Sequence, residues 1–133
     1  MANRWFNQFK GSLERGVVSL DGYINLADDA SVTSENILGA SVAKATTGIY
    51  TITLEDSYPK LLSCSVTLWS LGTAAIAVKV LDAFDAAGTT VGSGMANVKS
   101  IKIATVTPAT GAAVDTTVDV GISVHMVFKN STV

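Results

Sequence analysis

Charge is scarce in this chain. Only 15% of its 133 residues are Asp, Glu, Lys or Arg, against roughly 25% in ordinary soluble domains. With a formal net charge of −2, no global electrostatic pull draws it toward nucleic acid or an acidic membrane, and neither is expected as a partner. One cysteine, Cys64, excludes an internal disulfide. One histidine, His125, has no second histidine or cysteine at metal-ligand spacing, which leaves zinc chemistry and a Ser-His-Asp triad without support. No stretch reaches the roughly 18 consecutive apolar residues of a membrane span. The opening M-A-N-R-W-F-N-Q-F-K lacks the apolar run of a secretory leader, so synthesis and folding in a cytoplasm are expected. Aromatic residues are few, at 7%.

What is present is alternation. From Thr117 to Lys129 the residues Val118, Val120, Ile122, Val124, Met126 and Phe128 fall on one face, and Asp119, Gly121, Ser123 and His125 on the other. Side chains of a strand point alternately to opposite faces, so this pattern predicts a strand with one dry and one wet face, the mark of antiparallel sheet. Val17 to Leu26 repeats it, with Gly22 interrupting the apolar face and predicting a bulge or a close backbone contact. Ile49 to Leu54, Leu61 to Leu71, Ala75 to Phe84 and Ile101 to Thr107 alternate likewise, and Ala40 to Ala45 forms a weaker candidate. Leu61–Leu71 and Ala75–Phe84 read as a hairpin pair, with Leu62, Cys64, Val66 and Leu68 facing inward.

Between the strands, Ala27–Asn36 is polar and turn-prone and reads as a surface loop. Pro59 predicts a corner or a single helical turn. Asp85–Asn97, rich in glycine and small residues, reads as a long mobile connection, and Pro108–Thr116 as a second turn-rich one. The fold class is all-β, a single-domain antiparallel β-sandwich or barrel of about seven strands with an N-terminal arm. The arm is placed at residues 1–12 and the β domain at 13–133. At this length folding hides roughly two-thirds of the unfolded chain's surface, enough for one core.

The arm holds Trp5, Phe6 and Phe9 before any strand pattern begins. These aromatics fit one side of a short helix, an extended segment anchored on a neighbour, or docking on the chain's own core. Residues 1–15 carry Arg4, Lys10 and Arg15 against Glu14, a weakly basic balance. Trp5, Phe6, Phe9, Arg4, Lys10 and Arg15 are therefore the candidate partner-binding residues. Catalytic, cofactor and metal residues are not expected. The acid pairs Asp28–Asp29, Glu55–Asp56 and Asp82–Asp85 read as turn caps, and Gly92-Ser93-Gly94 lacks the lysine of a phosphate loop.

Low charge with abundant small apolar residues points to a surface kept against other protein. Three runs sharpen this: N-R-W-F-N-Q-F-K-G-S-L-E-R-G-V-V-S-L (Asn3–Leu20), G-I-Y-T-I-T-L-E-D-S-Y-P-K-L-L (Gly48–Leu62) and V-H-M-V-F-K-N-S (Val124–Ser131). Together they resemble small structural proteins of tailed bacteriophages, in particular capsid decoration, or cement, proteins. The resemblance implies a non-enzymatic homotrimer on the capsid exterior that bridges major capsid subunits, with no cofactor. The alternatives are another virion part, such as a tail or head-completion protein, and a glycan-binding β-sandwich module. A glycan-binding module would use Trp69 or Tyr23, which lie opposite the apolar faces of their strands, as a stacking platform. An exposed groove at Trp69 with nearby carboxylates favours glycan binding; burial of these aromatics at a subunit contact favours a structural role.

Overall fold

The computed structural model describes residues 17–70, 72, 75–91 and 96–129. They form seven strands in one domain: β1 (Val17–Leu26), β2 (Val32–Ile37), β3 (Ala40–Thr46), β4 (Ile49–Ser70), β5 (Ala77–Phe84), β6 (Ala96–Val106) and β7 (Val120–Lys129). Every pairing is antiparallel, and no helix occurs among the described residues. The all-β, sandwich- or barrel-like class read from alternation is the class observed.

β4 organises the architecture. Its 22 residues take part in two ladders. Ile49–Thr53 lies between β3 and β6, giving the order β3-β4-β6-β5, whereas Lys60–Ser70 pairs with β7, giving β2-β1-β7-β4. Lys60 is opposite Ala96 of β6 and Lys129 of β7 at once, which places those two strands on opposite edges of β4. The inward side chains of both ladders meet in one cluster. Tyr50, Ile52, Leu54, Ile101 and Ile103 come from one, and Ile24, Leu26, Ile122, Met126 and Phe128 from the other. Phe128 stacks on Tyr58 with ring centroids 4.6 Å apart. Polar bonds add to the join: the Tyr50 hydroxyl donates to the Ala30 carbonyl at 2.7 Å, and the Thr116 hydroxyl to the Ala27 carbonyl at 3.3 Å. Thr105, fully buried, donates its hydroxyl to the Val114 carbonyl at 2.7 Å.

Several expectations are corrected. Ala27–Asn36 is not all loop, because Val32–Ile37 is β2, an edge strand paired to β1. Only Ile37 of it is buried, so hydrogen bonding rather than burial specifies the strand and its polar sequence hid it. Pro59 makes no helical turn; β4 runs through it. Its missing N–H is tolerated because residues 55–59 fall between the end of the β3 ladder at Leu54 and the start of the β7 ladder at Lys60. Leu61–Leu71 and Ala75–Phe84 do not form a hairpin; the first pairs with β7 and β5 with β6. Leu62 does not face inward. The register slips between Leu61 and Ser63, and this bulge leaves Leu62 48% exposed. Glu55 and Asp56 lie within β4 and Asp82 within β5, not in turns. Asp85 does hold a turn, accepting the N–H groups of Ala87 and Thr89 at 3.0 and 2.9 Å, so Asp85–Val91 is a compact reversal. At Gly22 the predicted contact is present without a bulge: a Cβ there falls 2.0 Å from the Asn36 carbonyl oxygen.

Gly48 is the sharpest backbone constraint. Its φ is +67°, and an added Cβ meets the Val114 backbone nitrogen and oxygen at 2.6 Å. Gly88, at φ +83°, has nothing within 4 Å. Gly48→Ala is therefore expected to destabilise by about 2–4 kcal/mol, left-handed strain plus a backbone clash, while Gly88→Ala costs only the strain of about 1–2 kcal/mol. Urea unfolding of the two variants side by side checks the ordering.

Candidate functional site

The outer face of the β2-β1-β7-β4 layer carries the side chains that alternation leaves wet. Cross-strand rows follow from register. Asp21, His125 and Ser65 form one, Tyr23, Ser123 and Thr67 the next, and Asn25, Gly121 and Trp69 the third. In the first row His125 Nδ1 contacts Asp21 Oδ1 at the surface, so the one histidine is engaged in a cross-strand pair.

Trp69 is 50% exposed and Tyr23 41%. The position of the Trp69 ring is set by Gly121, over which its benzo edge lies: a Cβ on Gly121 falls 2.0 Å from Cζ2 and 2.1 Å from Cε2. The indole thus leans from β4 across β7 toward β1. It borders a groove of about 280 Å³ lined by Asn25, Leu26, Ala27, Thr33, Trp69, Asp119 and Val120. Asn25 Nδ2 donates to Ser34 Oγ at 2.9 Å and Thr33 Oγ1 to the Asn25 carbonyl at 3.1 Å, which fixes two of the lining side chains. A second depression of about 280 Å³, lined by Asp28, Gly72, Thr117, Val118 and Asp119, shares Asp119 with the first. An exposed Trp69 in a groove with carboxylates nearby is the arrangement set out for the glycan-binding alternative.

The second notable surface is an edge. Beyond Lys60, the side of β4 facing away from β7 has no partner strand among the described residues. This run, L-L-S-C-S-V-T-L-W-S, carries no charge and no proline over residues 61–70, and among the described residues nothing pairs with its backbone on that side, beside the exposed Leu62.

Cys64 is half-buried on the core side of this strand, and burial pushes its thiol up to about 11. It is a packing residue, not a thiolate nucleophile. Asp115 has a structural part: its Oδ1 accepts the Gly48 N–H at 2.7 Å and pairs with Lys44 Nζ at 3.0 Å. The Gly48 bond chiefly, then Lys44, holds its carboxyl below the ordinary 3.8. A carboxylate depressed in the folded state stabilises above its unfolded value and loses that contribution as pH falls through the folded one. Asp115→Asn is thus expected to cost roughly 0.5–1 kcal/mol at pH 7, reduced by solvent screening. The gap from the parent should close in urea titrations repeated below about pH 4.

Among the described residues no group of three or more His, Cys, Asp and Glu side chains is arranged to hold a metal ion. The residues read from sequence as partner-binding, Arg4, Trp5, Phe6, Phe9, Lys10 and Arg15, lie outside the described residues, as do Gly92, Ser93 and Gly94. Sequence reasoning singled out Trp69 and Tyr23 by strand parity. It missed Asn25, Thr33 and Asp119 as groove residues, since β1, β2 and the β7 approach meet there only through register. It also missed Leu62, whose exposure depends on a bulge.

Comparison of the chain with protein-family models, curated proteins and solved structures finds no match in any of the three.

Proposed function

We propose that the protein is a non-enzymatic structural component of a tailed-bacteriophage virion, a decoration protein on the capsid exterior that associates as a homotrimer and bridges major capsid subunits. The observation that carries this reading is the uncharged edge of β4 at residues 61–70, which has no partner strand among the described residues. Monomeric proteins blunt such edges with charge or proline; one left unblunted on a chain of 15% charged residues supports protein–protein assembly. In a closed ring of three the contact is heterologous, so the β4 edge of one copy meets a different element of the next. Many modest contacts repeated over a shell then add through avidity. The chain is made in the host cytoplasm, turns over no substrate, needs no cofactor and acts by stabilising an assembled shell.

In this reading residues 1–12 are a clamp, with Trp5, Phe6 and Phe9 buried on a neighbouring chain and Arg4, Lys10 and Arg15 against acidic surface there. Aromatic and arginine anchors dominate interface energetics. Trp5→Ala with Phe6→Ala is expected to weaken attachment to stripped capsids at least tenfold while the isolated β domain keeps its unfolding midpoint. Co-sedimentation and urea unfolding read the two effects. A double variant that unfolds the isolated domain assigns these aromatics to its own core and defeats the clamp.

A further inference from the structure

We infer that the groove beside Trp69 is a binding site for an uncharged oligosaccharide, with one pyranose ring stacked on the indole. Two observations converge with the chemistry of a sugar. The indole is a flat apolar platform half open to solvent, and it is held in place because it rests on the bare backbone of Gly121. The rim is polar and carries acceptor-bearing residues: Asp119, Asn25 and Thr33 line the same space. A sugar ring has the matching chemistry, an apolar C–H face for the platform and peripheral hydroxyls that donate to carboxylate and amide oxygens.

The dimensions and charge narrow the ligand. The groove, about 280 Å³, lies just below the range of drug-sized ligand sites, roughly 300 to 1,000 Å³, and suits one ring. The adjoining depression of about 280 Å³ shares Asp119, so a second ring follows and the ligand is at least a disaccharide. Among the described residues neither space is lined by lysine or arginine, whereas Asp28 and Asp119 border them. Acidic sugars and nucleotides, which also stack on tryptophan, meet repulsion there.

This site is compatible with assembly through the β4 edge. The Trp69 ring leans over β7 toward Asn25 of β1 and Thr33 of β2, away from the open side of its own strand. A copy that pairs along residues 61–70 leaves the groove open, and a protein displayed on a particle surface presents the groove to its surroundings.

The test is isothermal titration calorimetry of the full chain with four neutral tetrasaccharides, of β-1,4-glucose, α-1,4-glucose, β-1,4-N-acetylglucosamine and β-1,4-mannose. A galacturonic acid tetramer and adenosine monophosphate serve as charged probes. At least one neutral probe is expected to saturate the protein at millimolar concentration or below. Trp69→Ala is expected to weaken it at least tenfold with an unchanged circular dichroism spectrum and unchanged molar mass. Asp119→Asn should weaken it severalfold, and the charged probes should not bind. Gly121→Ala, which displaces the indole without removing it, should mimic Trp69→Ala. The inference is overturned if no neutral probe binds, if Trp69→Ala binds as the parent does, or if the charged probes bind more tightly. It is equally overturned if Trp69→Ala separates the assembly into monomers, which makes the groove a subunit contact.

Discussion

Ser65→Lys combined with Thr67→Lys is expected to convert the proposed trimer into monomers at micromolar concentration. Both positions are exposed on β4, in the part of the strand whose far edge lacks a partner among the described residues. Lysine there supplies what natural edge strands use against pairing, a charge that a neighbouring backbone cannot approach without loss of hydration. Like charges or stranded ammonium groups at a contact cost several kcal/mol, and about 2.7 kcal/mol is already a hundredfold in affinity. The fold itself is not expected to change, because the two side chains stand on the wet face opposite Cys64, Val66 and Leu68, which pack on the core. Light scattering after size-exclusion reads the association, and an unfolding free energy within about 0.5 kcal/mol of the parent confirms that the core is spared.

Phe128→Ala is expected to bring the domain to the verge of unfolding. The ring is fully buried, stacks on Tyr58 and stands opposite Leu61, where β4 passes from one ladder to the other. Removing it deletes contacts to both layers and leaves a void with little freedom to collapse. Large-to-small changes of this kind cost about 3–5 kcal/mol, against total stabilities of roughly 5–15 kcal/mol. Leu62→Ala, at the bulge residue next to Leu61, is expected to change stability by less than about 0.5 kcal/mol because Leu62 faces solvent. Denaturant unfolding of both variants tests the inward and outward assignment directly. Equal losses at the two positions contradict the register slip between Leu61 and Ser63.

Strands buried on one face were legible from the sequence. β1 and β7 appear as alternations because Leu20, Ile24 and Leu26, and Val120 to Phe128 in steps of two, must all reach one core. β2 was not legible: with five of six side chains partly or wholly wet, its strand character comes from the β1 ladder, a long-range fact that composition does not encode. β4 was read as two strands broken at Pro59, since the rule that proline interrupts a ladder holds only where the N–H has a partner to lose. The pairing of β4 with β7, and not with β5, depends on which faces can be covered in three dimensions.

The same division applies to the sites. Parity placed Trp69 and Tyr23 on the wet face, and they are there. The groove that gives Trp69 its setting is assembled by Asn25, Thr33 and Asp119 from three other parts of the chain, which no local pattern connects. The β4 edge without a partner among the described residues was likewise hidden, because pairing is a property of the arrangement and not of the residues 61–70 themselves.

The central claim, that this chain decorates and braces a capsid, is tested most directly by quantitative mass spectrometry of purified virions that encode it, with copies counted against the major capsid protein. A high copy number in multiples of three is expected, comparable with the number of three-fold contacts on the shell, with particles that rupture at lower temperature when the chain is stripped off. Absence from the particle, or a handful of copies as in a tail or head-completion part, contradicts it.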